Sequence, residues 1–232
     1  MKKLVPAALI TSLVFATGSN THVIAETQDK KQQPSAEDIL GQAASLHEEL
    51  DSVYFKAERT TETAEGTVDS STVEKQWLYE QDENFYRHIE YEEEDRTSYL
   101  FTDLEDPNFL IEYAEGDDEA QRYENAFTEN ADLGHGAHSY EYLLEHAELS
   151  LIGEEEVNGY QTYHVQATQE GQTTDYWFDQ DTFYEVKTQY QSFGTETYST
   201  EILDYELNPE FDKGLFQAPD EIETLGKEVL SL

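Results

Sequence analysis

The chain has 232 residues, 52 acidic against 13 basic, a formal net charge of −39 and no cysteine. Such a surface repels nucleic acid and anionic membrane faces, whose attraction depends on Lys and Arg. The lack of thiols excludes a disulfide framework, a cysteine nucleophile and a thiolate metal site. The acids could attract cationic peptides or divalent ions, but their simplest use is to hydrate an exported protein in a salty or alkaline medium.

Lys2 and Lys3 precede an apolar stretch from Leu4 to Ala16, and Val23-Ile24-Ala25 offers small-residue cleavage before Glu26. Residues 1–25 therefore read as an export signal, too short in its apolar part to span a bilayer. The destination is a secreted, periplasmic or cell-surface space. Phe15-Ala16-Thr17-Gly18-Ser19 has the small residues of a lipobox but Ser where a lipobox has Cys, so no thiol is present to acylate. The mature chain is expected to carry no transmembrane anchor. Residues 26–34 are polar, end in Pro34, and read as a flexible leader.

Ser35 followed by Asp38 has the form of a helix N-cap and capping box. Ile39, Ala43, Leu46, Leu50 and Val53 then recur at helical spacing, opposite Glu37, Glu48, Glu49 and Asp51. The pattern predicts an amphipathic helix that needs a sheet to lie on. From Tyr54 the apolar period falls to that of strands. Val73, Trp77 and Tyr79 share a face, as do Phe85, Ile89 and Tyr91; Tyr99 goes with Phe101, and Phe109, Ile111 and Tyr113 alternate. Turn signals at Ala64-Glu65-Gly66, Asp82-Glu83-Asn84, Asp106-Pro107-Asn108 and Gly116-Asp117-Asp118 separate them, which predicts an antiparallel meander.

Residues 124–138 lack periodicity and read as a long loop, followed by a short helix over Ser139–His146. The meander then resumes. Asn158-Gly159 is a strong hairpin signal, and Tyr163, Val165 and Ala167 alternate with Thr162, His164 and Gln166. Tyr184, Val186 and Tyr190 alternate likewise, and the last strand carries Tyr198, Ile202, Leu203 and Tyr205. A single domain over 35–222 is expected, with 223–232 as a tail. The sum is roughly ten strands in one sheet, near the limit at which open sheets curl, with helices covering part of one face.

Landmarks over residues 149–220 resemble the LolA/LolB-like family of exported lipid and lipoprotein carriers, which includes LppX-type and RseB-type proteins. Gly153 and Gly159 bracket the hairpin; Trp177 and Asp179 resemble the family's aromatic–aspartate strand end. Lys187 resembles the basic residue that ends the following strand, and Asp212, Leu215, Phe216 and Pro219 resemble the terminal turn. The resemblance implies a mainly β (α+β) fold: a large curved antiparallel sheet, an unclosed half-barrel, with an N-terminal helix and a short helix covering the concave face. It implies a cavity that holds a lipid, an acyl chain or another hydrophobic ligand; a monomer is expected. The alternative it implies is an RseB-like sensor of the cell envelope that binds a protein partner.

Trp77, Tyr79, Phe85, Ile89, Tyr99, Phe101, Phe109, Ile111 and Tyr113 are the candidate cavity lining; equally, they could be core beneath the N-terminal helix. The numerous tyrosines suit an amphipathic lining. Asp132, His135, His138, Glu141 and His146 have donor types suited to zinc, but glycines around His135 argue for a loop without a preorganised cage. Asp179-Gln180-Asp181 lacks the glycine and later acid of a calcium loop and reads as a turn. No Gly-x-Ser-x-Gly elbow or phosphate-cradling loop occurs. A non-enzymatic binding protein without a metal or cofactor is expected.

Overall fold

Ser35 opens the first element as its spacing predicts. Its backbone N–H donates to the Asp38 carboxylate at 3.0 Å while the Asp38 N–H donates to the Ser35 hydroxyl at 3.1 Å. These reciprocal bonds satisfy orphan donors at the start of α1 (Ala36–Glu49). The helix buries Ala36, Ile39, Leu40, Ala43, Ala44 and His47. Leu50 is its C-cap and Val53 already belongs to the first strand, so the predicted stripe continues across a change of element.

The computed structural model describes residues 33–81, 84–93, 95–125, 137–192 and 196–225. The candidate export signal with Ser19, and most of the leader, lie outside the described residues. After α1 come β1 (Ser52–Thr63), β2 (Val68–Gln81), β3 (Asn84–Glu92), β4 (Thr97–Thr102), β5 (Phe109–Ala114) and β6 (Glu119–Glu124). Helix α2 (Ala137–His146) precedes β7 (Glu148–Val157), β8 (Tyr160–Gln169), β9 (Gln172–Asp179), β10 (Glu185–Ser192) and β11 (Glu196–Leu207). A 3₁₀ turn, Lys213–Phe216, and β12 (Glu223–Leu225) complete the described chain. None of the described helices is long and apolar enough to cross a membrane.

All the described strands join one 12-stranded sheet in the order β12-β6-β5-β4-β3-β2-β1-β11-β10-β9-β8-β7. Its edges are different strands, so the sheet is unclosed, an open half-barrel of the expected class. Every pairing is antiparallel except β12 with β6. Strand β12 occupies ground where the sequence predicts a tail; three residues are too few to display a period of two. The β7–β8 hairpin turns through Asn158 (φ 51°) and Gly159 (φ 91°), the left-handed pair that the Asn-Gly signal predicts.

Strand β1 lies at the centre and pairs with β2 on one side and β11 on the other, dividing the sheet into an N-terminal and a C-terminal wing. The wings are covered on opposite faces. On the C-terminal wing, Ile39, Leu40 and Ala43 of α1 cluster with Tyr140 of α2 and with Val165 and Phe178 of β8 and β9. On the N-terminal wing, Phe211, Leu215 and Phe216 pack against Tyr79, Phe101 and Ile111. Leu78, which neighbours Tyr79 in β2, instead joins Leu50, Val53 and Phe55 beneath the helix side. Alternation along one strand thus supplies both cores.

Candidate ligand-binding site

Cross-strand partners share a face of a sheet, so register decides where the predicted lining goes. Trp77 pairs with His88, His88 with Phe101, Phe101 with Ile111, and Tyr99 with Tyr113. These residues, with Tyr79 and Phe109, lie on the face away from α1. Phe85 and Ile89 alternate with His88 and lie on the helix side. The predicted set is therefore split between two faces. Tyr79, Phe101, Ile111, Trp77 and Tyr113 belong to the core closed by the terminal segment rather than to a core beneath α1. Tyr79 meets Phe211 edge-on with centroids 4.9 Å apart, and Tyr99 stacks on Tyr113 at 4.9 Å. Tyr99 and Tyr113 also border a depression of about 350 Å³ between the acidic turn Glu115–Asp118 and Pro219. The Arg122 guanidinium lies 3.7 Å over the Phe109 ring and is anchored by Asp103 at 2.7 Å.

The apolar space beneath a helix is elsewhere, on the C-terminal wing. A cavity of about 690 Å³ opens between α2 and strands β9 and β10. Tyr140, Tyr142 and Leu143 form its helix wall; Thr174, Tyr176, Glu185, Thr188 and Tyr190 form its sheet wall. A second cavity, about 230 Å³, lies towards the centre of the sheet between His47, Phe55, Leu78, Tyr184 and Ile202. Tyr140 and Glu185 line both. The Tyr140 hydroxyl donates to Glu185 at 2.7 Å, and the Thr188 hydroxyl also donates to this carboxylate. This bonded pair is the partition between the two spaces.

Helix geometry explains why α2 presents Tyr140 and Leu143 together. They are three residues apart, hence on one face. Tyr140 is 1% exposed and seats edge-on against Phe178, with centroids 5.6 Å apart. On the outer rim Tyr142 and Tyr190 are 51% and 45% exposed. Each is braced: Gln169 donates to the Tyr142 hydroxyl at 3.0 Å, and Tyr190 stacks on Tyr198 at 5.2 Å.

Burial, then the neighbouring Glu185 charge, holds the Tyr140 hydroxyl well above the usual phenol range. The same causes, in the same order, raise Tyr184 and push Tyr176 up to about 12. Tyr140, Tyr176 and Tyr184 therefore stay neutral hydrogen-bond donors across ordinary pH. In the smaller cavity the Arg59 guanidinium is held by the buried Glu74 carboxylate at 2.7 Å, and Gln76 donates to that carboxylate at 2.8 Å. Lys187, on the same cavity's wall, meets Glu201 at 2.6 Å and lies 4.9 Å from the Trp177 ring.

The sequence does not single out Glu185, Tyr176 or Tyr190 as lining. Their alternation was legible, but which face meets α2 depends on the register between β9 and β10, including a shift between Glu185 and Lys187. Of the predicted histidine cluster, Asp132 and His135 lie outside the described residues. His138 reaches Glu141 at 3.3 Å, and Tyr142 packs on His146 at 4.4 Å. Among the described residues no three His, Asp or Glu side chains group as metal ligands. Asp179 forms a turn: it accepts from the Asp181 N–H at 2.7 Å and from the Tyr205 hydroxyl at 2.6 Å.

No family model and no curated protein matches the chain. Solved structures do. A MucB structure in complex with MucA(peri) is 14% identical with a TM-score of 0.48, over 83% of this chain and 62% of that one. A LolA superfamily protein, NE2245 from Nitrosomonas europaea, is 11% identical with a TM-score of 0.33, over 80% and 99% of the two chains. In fold the chain is similar to LolA-like and MucB structures. An uncharacterized conserved protein from Thermus thermophilus is 7% identical with a TM-score of 0.48, over 82% and 98%. The matched region spans 62% of the length of the MucB chain in the MucA(peri) complex. At these identities the likeness is one of architecture.

Proposed function

We propose that the protein is an exported, non-enzymatic binding protein that holds an apolar chain beneath α2, against β9 and β10. The observation that carries this reading is the cavity of about 690 Å³, walled by Tyr140, Leu143 and Tyr176, within the ~300–1,000 Å³ range of ligand pockets. The smaller space behind the Tyr140–Glu185 partition gives a longer chain a second compartment. Amphipathic tyrosines suit such a ligand, because the ring contacts hydrocarbon while the hydroxyl keeps a polar partner. The carboxylate at the partition is already bonded to Tyr140 and Thr188, which fixes the wall between the two spaces. The test is calorimetric titration with dodecyl maltoside below its micellar concentration. Saturable binding that Leu143→Trp abolishes without changing the melting temperature supports the reading; no binding to the wild type sinks it.

A protein partner is the second reading, and the edge strand β7 favours it. It is ten residues long, pairs among the described strands with β8 alone, and exposes 53% of Ile152. An extended segment could add there as a further strand. Its acids, Glu154, Glu155 and Glu156, would select a basic segment. An Ile152→Lys variant would then lose a partner that the wild type retains from envelope extract.

A further inference from the structure

The ligand's polar end can be deduced from the charges around the larger cavity. This step rests on the proposed binding role. Glu185 is the anionic group of the shared wall, and two of its lone-pair positions are taken by Tyr140 and Thr188. A carboxylate offers about four such positions, so acceptor capacity remains. The same cavity is lined by the rings of Tyr140, Tyr142, Tyr176 and Tyr190. The negative faces of aromatic rings attract cations, most strongly when water is excluded. A carboxylate or phosphate head would meet the opposite situation. In the larger cavity the His138 imidazole is 3.3 Å from the Glu141 carboxylate; in the smaller one Arg59 is committed to Glu74 at 2.7 Å and Lys187 to Glu201 at 2.6 Å. The chain as a whole carries −39, which repels anions before they reach the groove.

We propose that the groove selects an amphiphile with an ammonium head, its head among Tyr142, Tyr176, Tyr190 and Glu185 and its hydrocarbon chain along Leu143. Such a ligand uses each feature of the wall: aromatic faces and a carboxylate for the cation, apolar surface for the chain. The raised Tyr176 and Tyr140 hydroxyls agree with it, since neutral phenols keep their rings and donors in one state throughout the physiological range.

The test compares dodecyltrimethylammonium, dodecanoate and dodecyl maltoside, each below its micellar concentration. Salt at about 0.5 M screens non-specific attraction to the acidic surface. The ammonium compound is expected to bind at least about tenfold more tightly than dodecanoate, a difference that Glu185→Gln reduces to within about threefold. Glu49→Gln, on the exposed face of α1, should leave the preference unchanged and so controls for net charge. Tyr190→Leu keeps apolar bulk at a rim position and removes the ring. It should weaken the ammonium compound by about three- to tenfold and dodecyl maltoside by less than about twofold. Equal affinity for all three heads, or a preference that survives both Glu185→Gln and Tyr190→Leu, overturns the head-group assignment while leaving the apolar site standing. No binding of any of the three overturns both.

Discussion

Removing the Tyr140 hydroxyl isolates the partition between the two cavities. Tyr140→Phe keeps the ring against Phe178 and deletes only the donor to Glu185. Tyr140 is 1% exposed, so water cannot freely replace the lost bond. A hydrogen bond to a charged group is worth about 1.5–3 kcal/mol, and for a domain of this size that corresponds to roughly 3–12 °C in melting temperature. Urea unfolding followed by far-UV circular dichroism should show a lower midpoint with an unchanged slope. A cycle with Glu185→Gln gives the charge-dependent part. A neutral acceptor makes a weaker bond, so the cost of Tyr140→Phe should shrink by about 1 kcal/mol in that background. A loss below about 0.5 kcal/mol, or strict additivity of the two substitutions, would refute the idea that this pair supports the wall.

Three further outcomes follow from the same packing. Stability should be level to about pH 9 and fall above about pH 10: Tyr140 and Tyr184 have folded-state pKa values raised above their unfolded value, so the unfolded chain loses these protons first. Each contributes a slope of about 1.4 kcal/mol per pH unit above about pH 10; urea midpoints across that range check it, and Tyr184→Phe should remove one share. Phe216 is 3% exposed against Tyr79 and Tyr86, so Phe216→Ala should cost about 3–5 kcal/mol. Amide exchange should then rise in β3–β5 before β8–β9. Ser35→Ala removes half of the capping box on α1 and should cost about 1 kcal/mol by urea titration, with Ser35→Asp restoring most of it.

Local chemistry made much of the fold legible in the sequence. Ser35 and Asp38 define a cap within four residues, and Asn158-Gly159 defines a turn within two, so neither depends on tertiary context. The strand pattern was equally local, and the landmarks from Gly153 to Pro219 pointed to an unclosed sheet that the topology bears out. What the pattern does not contain is the partner of each face. Trp77 and Phe85 look alike in their alternation, yet the pairing of Trp77 with His88 sends them to opposite sides. The aromatic stripe of the N-terminal wing found its cover in Phe211 and Phe216, far along the chain. The cavity under α2 was hidden for the same reason. Glu185 reads as the polar half of an exposed strand until Tyr140 arrives from another element to bond it.

The most direct test of the proposed binding site is where a bound chain touches the protein. A neutral dodecyl probe carrying a terminal diazirine, photolysed in the complex and mapped by peptide mass spectrometry, reads that location. Labels on Tyr142 and Leu143 of α2 and on Tyr176 and Tyr190 of β9 and β10 are the predicted result. Labels concentrated on Phe85, Ile89 and their neighbours in the N-terminal wing, with α2 unmarked, would contradict it.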